Sequence, residues 1–123
     1  MLGLPPDCEL GTQQEMLADR VVITEGRPTR RFVLVVSGEL CVCSGGKRLA
    51  GIGPGDWCGE IGLIGRLKTN DGRATATVCT KTAAMVISFA PWEFKEMIDT
   101  YPEVERRLLA SAQQRIERSR EAQ

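Results

Sequence analysis

Histidine is missing altogether from the 123 residues. Small β-barrel enzymes commonly hold a metal with that side chain, and most acid–base schemes near neutral pH draw on it, so its absence argues against an enzyme and against a metal site. Net charge is missing as well: 16 basic and 16 acidic residues cancel. Nothing global therefore attracts nucleic acid or an anionic membrane. No apolar run approaches the roughly 18 to 20 residues of a membrane helix, and no signal peptide is evident. Paired Cys-x-x-Cys spacing is also lacking. The five cysteines, Cys8, Cys41, Cys43, Cys58 and Cys79, are odd in number and fit reduced thiols of a cytoplasmic protein. Cys41 and Cys43 lie two apart on an expected strand and so face one side; small hydrophobes outweigh metal ligands or a redox pair there, and no chemistry is assigned to them.

What is present describes one soluble globular domain. Hydrophobic residues make up 42% and charged residues 26%, enough for a single core at this length. Residues 1–11 carry Pro5-Pro6 and no periodicity, and are expected as a ragged N-terminal segment. Residues 12–90 read as a run of short strands. Strand character spans Thr12 to Leu17 and Arg20 to Thr24. Phe32-Val33-Leu34-Val35-Val36 is a β-branched run too short for a core helix, and Ser37-Gly38 is expected to turn it into Glu39 to Cys43 as a hairpin. Gly45-Gly46 supplies a tight turn into Lys47 to Ile52. Thr75 to Thr80 and Ala83 to Phe89 complete seven or eight strands, the spacing of a jelly-roll barrel. Cupins and lectins share that spacing.

Residues 91–123 are helical in pattern. Pro91 suits a first helical turn, with Trp92, Phe94, Met97 and Ile98 as an apolar face. Thr100-Tyr101-Pro102 breaks that helix. A second, from Glu103 to Ser119, carries Val104, Leu108, Leu109, Ala112 and Ile116 along one stripe. Such a stripe packs against its own domain, or serves as a mobile lid or a homodimer helix. Arg106, Arg107, Arg115, Arg118 and Arg120 are interleaved with Glu103, Glu105, Glu117 and Glu121, a solvated face rather than a DNA grip.

The chemistry concentrates around Gly59-Glu60-Ile61-Gly62-Leu63-Ile64 and Arg73-Ala74-Thr75-Ala76-Thr77-Val78. Gly53-Pro54-Gly55-Asp56 suits a type II turn just ahead of it. Gly59 lets a ligand approach the backbone, and the residues after it form one helical turn whose leading N–H groups favour an anion. Glu60 offers an acceptor for sugar hydroxyls, Arg73 offers a fork for two phosphate oxygens, and the two charges would hold each other. Taken alone, the same residues also describe a turn before a buried strand with a solvated arginine.

The ordered run Gly38-Glu39-Leu40, Pro54-Gly55-Asp56, Gly59-Glu60-Ile61-Gly62-Leu63, Arg73 and Ala76-Thr77-Val78 resembles the cyclic nucleotide-binding domain over about residues 12 to 119, with its phosphate-binding cassette at 59–78. The resemblance implies a mainly β fold, a double-stranded β-helix (jelly-roll) barrel with a short cassette helix and two C-terminal helices. It also implies a site in which Glu60 meets the ribose 2′-hydroxyl, Arg73 the cyclic phosphate, and the amides around Gly59, Ile61 and Gly62 complete the anion hole. Ala74 and Thr75, following the arginine, bear on base choice. The chain departs from the pattern in three places. Cys58 stands where an aromatic is usual, Gly62 where Ala or Ser is usual, and the family's Arg-x-Ala-Thr-Val order puts arginine at Ala74, one position after Arg73. On a strand, a one-residue shift turns a side chain to the opposite face unless a bulge in residues 68–72 absorbs it.

Together these readings describe a non-enzymatic cytoplasmic module that binds cAMP, or else cGMP, and rearranges its C-terminal helices, with no nucleic-acid reader or membrane anchor in this chain. The rival readings are a domain of the same fold that does not bind nucleotide and acts as a scaffold or dimerisation module, a jelly-roll metalloenzyme, and a fragment of a transcription factor whose DNA reader lies elsewhere.

Overall fold

The computed structural model describes residues 2–69 and 72–121. Among them lie eight strands and three helices: β1 (Thr12–Met16), β2 (Val21–Ile23), β3 (Phe32–Ser37), β4 (Leu40–Ser44), β5 (Lys47–Ile52), β6 (Trp57–Cys58), α1 (Glu60–Thr69), β7 (Thr77–Thr80), β8 (Ala84–Phe89), α2 (Pro91–Thr100) and α3 (Pro102–Glu121). The strands make two four-stranded sheets, ordered β1-β8-β3-β6 and β2-β7-β4-β5, and all pairings are antiparallel. This is the jelly roll that the strand spacing predicts.

Strand β3 explains its own sequence. Val33 and Val35 point between the sheets and join Val22, Leu40, Ile52, Val78 and Val86 there. Phe32 points the other way, into a second cluster with Leu63, Phe89, Phe94, Met97 and Leu108 beneath the helices. Both faces of the strand are covered, so it reads as a continuous apolar run rather than an alternation. The Phe32 ring lies 5.6 Å from that of Phe89 and 5.3 Å from that of Phe94, within the range of tilted aromatic contacts. Fully burying one such ring contributes about 1.5–3 kcal/mol, and this cluster is what clamps α2 and α3 to the first sheet.

Four expectations change. Gly45-Gly46 does close the β4–β5 hairpin, but β3 and β4 do not form one: they belong to different sheets. At Gly38 the backbone takes φ +86° and passes so close to Ala83 and Ala84 that a Cβ would overlap them. The chain crosses from one sheet to the other there instead of folding back. Among the described residues before Thr12 there is no strand or helix, yet the segment is anchored rather than ragged: Leu2 is buried in the cluster under the helices, with Leu4 and Leu10 against it. Glu93 ties this segment to α2, accepting from Gly11 N–H at 2.7 Å and from Ala90 N–H at 2.9 Å. Trp92, expected on the apolar face of α2, is 66% exposed, while Phe94 and Met97 are buried. Finally, the cassette helix α1 runs for 10 residues rather than one turn, because Leu63 on its inner face reaches the aromatic cluster.

Candidate functional site

The turn before β6 is pinned to β3: Val35 N–H donates to Asp56 C=O at 2.9 Å and Gly55 N–H to Val35 C=O at 2.8 Å, while Asp56 N–H closes the turn on Gly53 C=O at 3.1 Å. The chain then reaches Gly59, whose φ is +98° and whose place a larger residue could not take, because a Cβ would run into Arg31 C=O. A glycine is required there both by conformation and by contact. Gly59 caps α1, its carbonyl accepting from Leu63 N–H at 3.2 Å. The N–H groups of Glu60, Ile61 and Gly62 therefore lead the helix with no preceding carbonyl of that helix to accept them, the arrangement that favours an anion.

These residues line a hollow that is partly open to solvent. Ile52, Val78, Thr29 and Ala74 line it as well, with Thr29 directly against Gly62, and Arg115 reaches in from α3.

Glu60 is 1% exposed, and a buried carboxylate needs partners. It has three bonds to it from α3. Ser111 Oγ donates to Oε2 at 2.7 Å, and Arg115 Nη1 spans both oxygens at 2.9 and 2.7 Å. Arg115 Nη2 adds Asp56 Oδ1 at 3.0 Å. Trp57 Nε1 donates to Ser111 Oγ at 3.1 Å, so the hydroxyl that holds Glu60 is itself held. Beside this cluster the Cys58 thiol is pushed up to about 12, first by burial and then by the Glu60 carboxylate. A thiol held neutral in this way is a poor nucleophile and packs as an apolar group.

Gly59, Glu60, Ile61, Gly62, Ala74 and Thr75 all line the hollow. Arg73 does not. Ala74 N–H donates to Arg27 C=O at 2.8 Å and Ala74 C=O accepts from Gly26 N–H at 2.8 Å, with Arg73 bridged to Pro28. This short extended pairing buries the Ala74 methyl and leaves Arg73 exposed. The methyl thus stands where the family order puts a guanidinium. Glu60 is accordingly held by Arg115 and not by Arg73.

The sequence reading placed Arg115 on a solvated face and passed over Ser111 and Thr29. A signal for the first two was present. Ser111 and Arg115 are four apart and flank Leu108 and Ala112 on the buried side of α3, whereas Ile116, assigned to the stripe, is 37% exposed. Among the described residues no group of three or more His, Cys, Asp or Glu side chains is placed to hold a metal ion. None of the described helices is long and apolar enough to cross a membrane.

The class is thus a two-sheet jelly roll with a helix N-terminus at the edge of its hollow and Arg115 of α3 reaching in. The chain belongs to the cyclic nucleotide-binding domain family, whose model matches residues 13–101. It is similar to the solved catabolite activator protein of Thermus thermophilus, with TM-score 0.73 and 19% identity over 89% of this chain and 51% of that one. It is also similar to cAMP-bound PfPKA-R (141–441), with TM-score 0.68 and 17% identity over 84% of this chain and 35% of that one. A Pseudomonas aeruginosa protein named as the Pycsar effector PaPycTIR is 28% identical over 100 residues, covering 81% of this chain. The chain spans about a third of that relative, 31% of its length.

Proposed function

We propose that the chain is a cytoplasmic regulatory module that binds a cyclic nucleotide in the hollow, cAMP as first choice and cGMP as second, and passes the event on through α3. One observation carries this reading: the Glu60 carboxylate is buried in the wall of the hollow and is at the same time bonded to Ser111 and Arg115 of α3. A ribose hydroxyl donating to Glu60 shares the carboxylate with the helix. Nucleotide affinity and helix position are then linked, because a ligand shifts an equilibrium by the difference in its affinity for the two arrangements. Family membership supports the ligand class, and the relative named as an effector supports a signalling role. A homodimer formed through the C-terminal helices would relay the movement between copies.

Titration calorimetry with cAMP and cGMP, alongside Trp57 fluorescence, tests the reading. Saturable heat is expected, with a change in Trp57 emission as its bond to Ser111 is disturbed. No saturable heat with either nucleotide would sink it. The second reading, a fold-mate that binds nothing and acts as a scaffold, draws on the buried Ala74 methyl in the arginine's place and predicts that null result.

A further inference from the structure

Beside Gly62 the wall of the hollow holds a polar group with no partner among the described residues. Thr29 is 2% exposed and lines the hollow, and its Oγ1 is buried with no hydrogen-bond partner among the described residues. Its backbone is not free to relax the problem, since Thr29 N–H donates to Gly72 C=O at 2.7 Å. Buried hydroxyls are normally paired, and one left unpaired costs free energy, so it calls for an explanation. Its surroundings supply one. The hydroxyl lies directly against Gly62: a Cβ at Gly62 would fall 2.5 Å from Thr29 Cβ and closer still to Oγ1. Gly62 belongs to the leading turn of α1, where N–H groups converge. Ala74, the residue in the register position of the missing arginine, lines the same wall.

We infer that the Thr29 hydroxyl is the side-chain donor to the anionic phosphodiester of the ligand, completing the amides of α1 where this chain has no arginine. The inference rests on the nucleotide reading of the hollow and adds a residue to it. Gly62 is then explained as the partner of Thr29: it makes room for the hydroxyl. A singly charged phosphodiester suits a set of neutral donors, while the guanidinium that does line the hollow, that of Arg115, is committed to two carboxylates.

The test is calorimetric titration of cAMP and cGMP into the full chain and its Thr29→Val, Thr29→Ser and Arg73→Ala variants, with thermal melts of each without ligand. The valine keeps the shape and loses the hydroxyl. It should bind about tenfold more weakly or worse, the scale of a lost bond to a charged group, while the serine and the Arg73 variant stay close to wild type. Without ligand, Thr29→Val should melt at or above the wild-type temperature, because it removes an unpaired hydroxyl. Wild-type affinity in Thr29→Val would overturn the role of Thr29 and leave the nucleotide reading intact. A Thr29→Val that folds but melts well below wild type would overturn it too, by showing that the hydroxyl already has a partner inside the protein. Absence of heat in the wild type as well as the variants would overturn both. Should the valine fail to fold, Thr29→Ala takes its place in the titration.

Discussion

In the wall of the hollow one carboxylate is well partnered, and one hydroxyl is orphaned. Glu60 accepts from Ser111 and from both oxygens' shared donor on Arg115, and the serine is fixed in turn by Trp57. Thr29 Oγ1 has no partner among the described residues. Bonding capacity is therefore met at Glu60 and unmet at Thr29. Under the proposed function, a ligand in the hollow would gain by completing the second and would disturb the helix by sharing the first.

The largest expected effect lies at the partnered carboxylate. Arg115→Ala leaves Glu60 buried with Ser111 as its one remaining α3 partner, and stranding a buried charge costs about 3 kcal/mol or more. Urea unfolding should show a loss of that order. Replacing both Glu60 and Arg115 with leucine should recover most of it, because paired buried charges contribute little beyond what well-packed apolar groups supply. If Arg115→Ala unfolds like wild type, Glu60 is not so partnered and the contrast between the two groups disappears.

Beside Thr29, Gly62→Ala should destabilise the protein by about 2 kcal/mol through overpacking, even though alanine gains about 1 kcal/mol in helix propensity. Adding Thr29→Gly should return part of the loss, since the clash involves the Thr29 side chain. A cycle with no coupling between the two positions would separate Gly62 from Thr29 and weaken the case for a shared purpose.

A smaller effect is a pH dependence beside Glu60. The Cys58 thiol titrates at about 12 when folded, against 9.0 in an ordinary setting. The folded state favours the protonated form, so this contribution is fully present below about pH 9 and is lost as the pH rises toward 12. At pH 10 the loss is on the order of 1 kcal/mol. Melts from pH 8 to 11 should fall more steeply for wild type than for Cys58→Ala. Parallel curves would mean that the thiol is not enclosed beside Glu60.

Much of this was legible in the chain, and the misses share a cause. Gly45-Gly46, Pro54-Gly55 and Gly59 each declare a local backbone need, so the β4–β5 hairpin, the turn ahead of β6 and the start of α1 can be read from single residues. The crossing at Gly38 cannot, because a glycine between two strands looks the same whether the chain folds back or changes sheet; the close approach of Ala83 decides it. Glu60 announced itself, but its partner is 55 positions away on a helix whose charges alternate in sign. Only the packing of Leu108 and Ala112 under the first sheet selects Arg115 from among the arginines of α3. Thr29 carries no signal of its own. It becomes conspicuous only when the folded chain sets it over Gly62 and withholds a partner.

Arg73→Ala should do least, and it is the substitution that bears most directly on the comparison. The side chain is exposed and lies outside the hollow, so stability should change by no more than about 0.5 kcal/mol. Nucleotide affinity, read by the same titration, should stay within about twofold. A guanidinium meeting the phosphate would give a very different answer, since a charge-assisted fork to an anion is worth roughly 1.5–3 kcal/mol or more, tenfold to a hundredfold in affinity. A loss of that size would mean that the segment 72–74 abandons its pairing with residues 26–29 when ligand enters and swings Arg73 inward. Thr29 and the α1 amides would then be accessories to an arginine clamp, and Glu60 and Thr29 would differ in when they are satisfied rather than in how.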